Sequence, residues 1–163
     1  MSIEPLQLGS ELVRRIEAKG KTVTNLSIQK LAYFCHGWHL AFLDAPLVEQ
    51  RFEAWRLGPV LPKLYRTYRP FSCNPLSATH PIFTRQTSLP ADSDSAELID
   101  VVVDEYGDYS AAELIARTQE PGGPWEQVWL KHIEAGKISH ASIKAHFQEK
   151  ERRAVRLSAA LQP

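Results

Sequence analysis

The segment QKLAYFCHGWHLAF, residues 29–42, places aromatic rings on either side of two histidines and a cysteine. Thr24 or Asn25, just before it, is a favourable N-cap residue, so we expect a helix over about 26–43. At about 100° per residue, one arc of roughly 120° is apolar and contains Ile28, Leu31, Phe34, Cys35, Trp38 and Phe42. The opposite side carries Leu26, Tyr33, Gly37 and Leu40, which is less apolar but far from a charged solvent face. This pattern predicts a central helix that is covered on two sides.

The reactive side chains of this helix do not converge in the predicted geometry. Cys35 lies inside the apolar arc, His39 at its edge and His36 beyond it. Burial among rings favours a neutral thiol over a nucleophilic thiolate. His36 and His39 could share a metal ion, but the other histidines are scattered along the chain, at positions 80, 132, 140 and 146. We expect core packing, with a metal-dependent enzyme that uses His36 and His39 as an alternative.

The composition indicates a globular protein. The chain has 163 residues, of which 44% are hydrophobic and 23% are charged, and this fits one folded domain. No apolar run approaches the ~20 residues that cross a bilayer, and the N-terminal segment lacks the pattern of a secretion signal. We therefore expect a cytoplasmic protein that binds no cofactor and is not associated with a membrane. Cys35 and Cys73 have no Cys-x-x-Cys spacing, which predicts reduced thiols.

Charge is segregated along the chain although the formal net charge is zero. Residues 51–85 contain six basic side chains and one acidic side chain, whereas residues 86–116 contain eight carboxylates and no Lys or Arg. We expect two solvated faces that attract each other within the fold. The alternatives are a charged partner surface and DNA contact through the basic segment from Arg51 to Arg69.

The first half of the chain contains further elements around the central helix. Leu8, Leu12, Val13 and Ile16 predict an amphipathic helix over 8–19. Residues 51–57 read as a short strand that Gly58-Pro59 breaks, and a short helix follows with Val60, Leu64 and Tyr65 inward. Prolines keep residues 72–93 irregular, with one brief strand near 81–84.

The second half is helical in its pattern. Asp94 with Glu97, and Ser110 with Glu113, predict capped helices over about 95–106 and 111–118. Pro124 begins a helix that Gly136 ends, and Trp125 lies in its first turn. A last helix, about 139–161, docks through Ile143 and Phe147, and its charged second half is a frayed tail or an arm that orders against a partner. The predicted class is mainly α (α+β), as a single domain 1–163 with a core of about 8–147.

Three motifs in register resemble the Panacea domain of SocA-like antitoxins and phage-associated GepA proteins. They are Ile28 to Leu31 with Tyr33, Gly37 to Leu40, and Glu53 to Tyr65, and the similarity continues through DEYGDYSAAELIARTQEPGGPW to cover roughly residues 8–134. The family often has Thr-His where this chain has Thr118-Gln119, so no role for that histidine carries over. The motif residues are Gln29, Lys30, Leu31, Tyr33, Gly37, Trp38, Leu40, Glu53, Ala54, Trp55, Gly58, Pro59, Val60, Pro62, Tyr65, Pro124 and Trp125.

The resemblance implies a helical antitoxin of a type II toxin-antitoxin pair, without enzymatic activity. Such a protein neutralises a cognate protein toxin, encoded by an adjacent gene, through direct binding. The motifs would then maintain a scaffold, and partner binding is expected at basic surface residues: Arg51, Arg56, Lys63, Arg66, Arg69, Lys144, Lys150, Arg152, Arg153 and Arg156. A phage or mobile-element nucleic-acid-binding protein remains an alternative. No phosphate-binding loop, nucleophile elbow or zinc-protease motif occurs in the sequence.

Overall fold

The computed structural model describes residues 1–132 and 135–163. Within them, helices dominate and a small antiparallel sheet has the order β2-β1-β3, which confirms the predicted mainly α (α+β) class. None of the helices in these two ranges has the length and hydropathy of a membrane span. The elements are α1 (Pro5–Ala18), α2 (Asn25–Leu43), β1 (Glu53–Trp55), β2 (Gly58–Val60), α3 (Pro62–Tyr68), a 3₁₀ turn (Arg69–Phe71), α4 (Pro81–Thr84), α5 (Asp94–Tyr106), α6 (Ala111–Thr118), α7 (Pro124–Trp129), β3 (Gly136–Lys137) and α8 (His140–Ala160).

Helix α2 is the centre of the fold, as predicted. It packs against α1, α3, α5, α6, α8 and β2, and every residue from Ile28 to Gly37 is buried. The Thr24 side chain caps the helix by accepting a hydrogen bond from the Ser27 N–H. The prediction that Phe42 belongs to the core is wrong, since its side chain is 56% exposed. It lies in the last turn of α2, which borders a surface groove.

The Phe147 ring is a central contact between helix α8 and α2. The Phe147 ring packs edge to face against Tyr33, Phe34 and Trp38, with centroid distances of 5.7, 6.1 and 5.0 Å. A Cβ added at Gly37 would lie 2.5 Å from the Cδ2 atom of Phe147, which is far inside van der Waals contact. The close approach of the two helices therefore requires glycine at position 37.

The segment around Gly58-Pro59 corrects one prediction. These residues do not break a strand but form β2, which pairs antiparallel with β1 in the register Ala54↔Pro59. Gly58 has φ +102°, a conformation that favours glycine, and it allows the tight turn. Proline is tolerated in β2 because this strand is at the edge of the sheet. In α3, the fully buried tyrosine is Tyr68 rather than the half-buried Tyr65.

Two helix starts also differ from the prediction. Residues Pro81–Thr84 form a helical turn rather than a strand, because Pro81 suits the first helical position and the His80 Nδ1 accepts from the Ile82 N–H. Ser93, rather than Asp94, caps α5 by accepting from the Ala96 N–H. The predicted capping box of Ser110 and Glu113 at the start of α6 is confirmed.

The end of α7 is a further correction. The helix stops at Trp129, well before Gly136, which instead pairs with Ala54 in the sheet. Part of the predicted helix, residues 133–134, lies outside the described residues. The predicted last helix is observed as α8, with Ser139 as its N-cap residue.

Side chains from the first half of α2 hold the β1–β2 hairpin and α3 in place. The Gln29 Oε1 accepts from the Leu61 N–H at 3.0 Å, and the Gln29 Nε2 donates to the Asn25 Oδ1 at 2.9 Å. The Asn25 Nδ2 in turn donates to the Tyr65 carbonyl at 3.2 Å. Both polar side chains are almost fully buried, and this chain of hydrogen bonds offsets the cost of burying them.

Lys30 is fully buried beside these residues. Its Nζ donates to the Pro59 carbonyl at 2.9 Å, and within residues 1–132 and 135–163 no carboxylate lies within ion-pair distance of it. Burial lowers the pKa of Lys30 to about 7. The hairpin turn covers this amine, since a Cβ at Gly58 would lie 3.1 Å from the Lys30 Cε and 2.8 Å from the Thr118 Oγ1.

We predict that Gly37→Ala lowers the free energy of unfolding by about 1–3 kcal/mol, because the new methyl group overlaps the Phe147 ring. An unhindered Gly-to-Ala change inside a helix has the opposite sign, a gain of roughly 1 kcal/mol. Urea denaturation of both proteins measures the difference. In a Phe147→Leu background the loss should shrink, because the smaller side chain leaves room; an equal loss in both backgrounds would contradict the clash.

We also predict that the stability of the wild type relative to Lys30→Met increases as the pH rises. The pKa of Lys30 is about 7 in the folded chain and ~10.4 in the unfolded chain. Protonation therefore favours unfolding: the penalty is complete below pH ~7 and disappears towards pH ~10.4.

Urea midpoints of the two proteins at about pH 7, 8.5 and 10 check this sign. The matched control is Lys131→Met, which changes an exposed lysine and should show no such trend. A difference between wild type and Lys30→Met that is constant over this range would contradict the prediction.

Candidate partner-binding surface

A groove of about 610 Å³ lies between the first half of α2, the β1–β2 hairpin and α3. Two leucines on its wall are unusually accessible, Leu26 at 36% and Leu57 at 45% exposure. Arg56 and Arg69 add guanidinium groups to it. We call this feature the hairpin groove; its lining residues are Thr24, Asn25, Leu26, Gln29, Lys30, Trp55, Arg56, Leu57, Val60, Tyr65, Arg69, Ser72 and Cys73.

Motif residues expected to be purely structural line this groove. Gln29 and Lys30 come from the first motif, and Trp55, Val60 and Tyr65 come from the third. The Trp55 and Tyr65 rings pack edge to face, with centroids 4.8 Å apart. The motifs thus build a surface feature as well as the scaffold beneath it.

Sequence reasoning missed Leu26, Leu57 and Cys73 as members of this surface. The sequence pattern predicts Leu26 on the covered side of α2 and Leu57 in a strand. The available sequence signal was the position of Leu57 next to Gly58, since an apolar residue at a tight turn has few neighbours to bury it. Cys73 lies in an irregular segment far along the chain, so only the fold reveals that it joins the groove.

The turn of the hairpin is held from the opposite side by α6 and α7. The Trp125 Nε1 donates to the Trp55 carbonyl at 2.7 Å, and the Gln119 Nε2 donates to the Arg56 carbonyl at 3.0 Å. The Trp55 Nε1 donates to the Glu53 Oε2 at 2.7 Å. Gln119, where the chain departs from the usual Thr-His of the resembled family, therefore positions the residue that carries one of the groove's cations.

The basic residues predicted for this segment divide into two groups. All five, Arg51, Arg56, Lys63, Arg66 and Arg69, are exposed. Lys63 pairs with Glu4 at 2.9 Å, whereas within the described ranges the four arginines form no ion pair. Only Arg56 and Arg69 line the hairpin groove. The structure therefore brings two of the five predicted residues to one site.

The basic residues predicted for α8 divide in the same way. Lys144 pairs with Asp44, and Lys150 pairs with Glu120 at 2.6 Å, so both bind the body of the molecule. Residues 152–161, which we call the α8 tail, are all exposed. Their three cations, Arg152, Arg153 and Arg156, share the single carboxylate of Glu149.

The prediction that the basic segment 51–85 and the acidic segment 86–116 attract each other within the fold is wrong. Three carboxylates of the acidic segment instead pair with cations in or just after α1, which packs beside α5: Asp100 with Arg15, Asp104 with Lys19, and Asp108 with Lys21. Within the described ranges, no arginine of the basic segment pairs with a carboxylate of the acidic segment.

His36 and His39 serve as separate hydrogen-bonding links. The His140 Nε2 donates to the Glu49 carbonyl at 3.3 Å, so its Nδ1 accepts from the His36 Nε2–H at 2.9 Å. The His39 Nδ1 donates to the Ala45 carbonyl at 2.6 Å, and its Nε2 accepts from the Ser95 hydroxyl at 3.0 Å.

The pKa shifts of the two histidines agree with these neutral roles. Burial, with smaller contributions from His140 and His39, lowers the pKa of His36 to about 3. Burial also lowers the pKa of His39. A second proton on His39 would remove the nitrogen that accepts from Ser95, and a second proton on His36 would bury a charge. The two side chains therefore tie α2 to α8 and α5 as neutral groups.

Cys35 is fully buried in the core, as expected, and burial raises the pKa of its thiol. Across residues 1–132 and 135–163, no group of three or more His, Cys, Asp or Glu side chains is placed to hold a metal ion. The alternative of a metal-dependent enzyme that uses His36 and His39 therefore finds no convergent set of ligands among the described residues.

Comparison with known proteins assigns the chain to a family. The model described as "Antitoxin SocA-like, Panacea domain" matches residues 28–126, a shorter range than the roughly 8–134 expected from the motifs. Antitoxin SocA of Caulobacter vibrioides (strain NA1000 / CB15N) is 34% identical over 137 residues, which cover 78% of this chain and 71% of that protein. No solved structure gives a significant match. The chain therefore belongs to the SocA-like antitoxins, and residues 28–126 are its Panacea domain.

Proposed function

We propose that this protein is the antitoxin of a type II system, which neutralises a cognate protein toxin by direct binding and not by catalysis. Membership of the antitoxin family and similarity to a protein named Antitoxin SocA support the role. The observation that carries the proposed binding mode is the hairpin groove, where two motifs of the family form one accessible surface. We further propose that the toxin is encoded by an adjacent gene and is met in the cytoplasm.

The chemistry of the hairpin groove selects a partner segment that is both apolar and acidic. Leu26 and Leu57 expose side chains that a partner would bury, and each buried apolar side chain contributes roughly 1.5–3 kcal/mol. Arg56 and Arg69 lack carboxylate partners within the described chain. A partner carboxylate can pair bidentately with a guanidinium group, which adds specificity to the apolar contact.

A stable complex needs more surface than the groove alone offers. Interfaces of this kind bury at least ~1,200 Å² in total. Arg51 lies just before β1 and Arg66 lies in α3, and both are exposed; Lys63 of α3 is also exposed, although it pairs with Glu4. We propose these five basic residues as the contact set. Lys144 and Lys150 are better explained by their ion pairs with Asp44 and Glu120.

We predict that the double variant Arg56→Glu/Arg69→Glu loses both protection of cells against the toxin and co-purification with it. The two changes put negative charge where the proposed partner segment carries carboxylates. Co-expression with the adjacent open reading frame, followed by a pull-down of the tagged antitoxin, measures both effects. The matched control is Arg85→Glu, an exposed arginine outside the groove, which should keep both.

The outcomes separate the function from the site. If the wild type neither protects cells nor retains the neighbouring product, the antitoxin proposal is wrong. If the wild type does both and the double variant is equally active, the groove is not the contact surface but the function stands. Titration of toxin activity with purified protein adds a test of mechanism, since binding predicts a fixed stoichiometric end point and catalysis predicts none.

A further inference from the structure

A second apolar groove, of about 550 Å³, lies on another face of α2, between its C-terminal end and α5. Trp38 and Phe42 form one wall, and Leu98 and Val101 contribute to the other. Phe42 and Val101 are 56% and 55% exposed. Large apolar side chains that are exposed together mark a surface that another element covers. We call this feature the α5 groove.

The rim of the α5 groove is acidic. Asp94, Glu97 and Glu105 line it, at spacings that place them on the same face of α5 as Val101. Within residues 1–132 and 135–163 these three carboxylates form no ion pair, whereas their neighbours Asp100 and Asp104 are neutralised by α1. The groove therefore fits an apolar helix that carries basic side chains.

The α8 tail has this complementary chemistry. Leu157 and Leu161 lie one turn apart, with 62% and 76% exposure, and Arg153 precedes them on the same face. Three arginines share one carboxylate, so the tail keeps a net positive charge. The tail therefore presents apolar and basic side chains that no other part of the described chain covers.

The lengths of the two elements match. The tail, residues 152–161, extends about 15 Å as a helix. The rim of the groove, from Asp94 to Glu105, extends about 17 Å along α5. The tail is therefore long enough to lie along the rim of the groove.

The two elements also start close together. Phe147, which docks α8, contacts Trp38, and Trp38 forms a wall of the α5 groove. Helix α8 continues without a break to Ala160, and its residues from Arg152 onward are exposed, so the tail does not return to the groove of its own chain. We propose that the α8 tail binds the α5 groove of a second copy of this chain, and that two copies exchange their tails around a two-fold axis.

A second copy is the favoured occupant because every copy carries both halves of the contact. A two-fold dimer then forms the same contact twice and leaves neither tail nor groove uncovered. A toxin that filled the groove would leave the tail exposed. The hairpin groove, proposed for the toxin, has basic side chains rather than an acidic rim, so the dimer does not depend on the proposed antitoxin function.

We predict that sedimentation equilibrium of the full chain shows a dimer whose dissociation constant rises at least about tenfold in Leu157→Glu and in Val101→Glu. The first variant changes the tail and the second the groove. The matched control is Val155→Glu: Val155 is 63% exposed but lies two residues from Leu157, on the other side of the helix. This variant should dimerise like the wild type, and rising salt should weaken the dimers of both proteins.

Mixing experiments identify which surfaces meet. Leu157→Glu and Val101→Glu should each be largely monomeric alone, but their mixture should form a heterodimer through the one intact tail and the one intact groove. Charge exchange gives a second readout: Glu97→Arg weakens the dimer, and Arg153→Glu in the same chain restores it.

Three results would overturn the proposal. The first is a wild type that is monomeric, whether its tail is free or is folded into its own groove. The second is a dimer that Val101→Glu does not weaken, which would indicate pairing of two tails. The third is a monomer in which the tail and groove variants weaken only a complex with the toxin. Far-UV circular dichroism of each variant confirms that it is folded.

Discussion

The contact between the Phe147 ring and the backbone of Gly37 is the constraint on which the architecture depends. It brings α8 so close to α2 that no side chain fits at position 37, and it completes the enclosure of a helix already covered by α1, α5 and α6. The middle of α2 is enclosed in this way, and its two ends contribute to surface features. Its first half carries the hairpin groove, and its last turn carries the α5 groove.

The first half of α2 is polar where it meets the hairpin, and this has a cost. Among the described residues, the buried amine of Lys30 has no counter-ion, although an apolar side chain of similar length would pack there without a charge. That replacement would leave the buried carbonyl of Pro59 without its donor, which costs about 1–3 kcal/mol. Gln29 similarly satisfies the Leu61 N–H. These bonds define where the hairpin sits, so they set the shape of the groove.

Sequence patterns predicted the elements whose environment is local. The spacing of Leu8, Leu12 and Ile16 predicted α1, and Ser110 with Glu113 predicted the start of α6, because both depend on residues a few positions apart. The strand predicted over 51–57 contains β1, but β2 was missed, since a strand of three residues is too short to show alternation.

The surfaces were harder to predict than the helices, because their chemistry depends on neighbours distant in the chain. The pairing of α5 carboxylates with α1 instead of the basic segment follows only from the packing of the two helices. Arg56 and Arg69 were correctly singled out as exposed cations, but the leucines between them became visible only in the assembled groove.

Cys73 gives this chain a built-in chemical handle. Its thiol is exposed and lies on the hairpin groove, while the other thiol of the described chain, Cys35, is fully enclosed and protonated. A maleimide fluorophore will therefore attach at one place in the native protein without any engineered cysteine. A ligand that already occupies the groove would shield this thiol, so the rate of labelling would report how much of the groove is occupied.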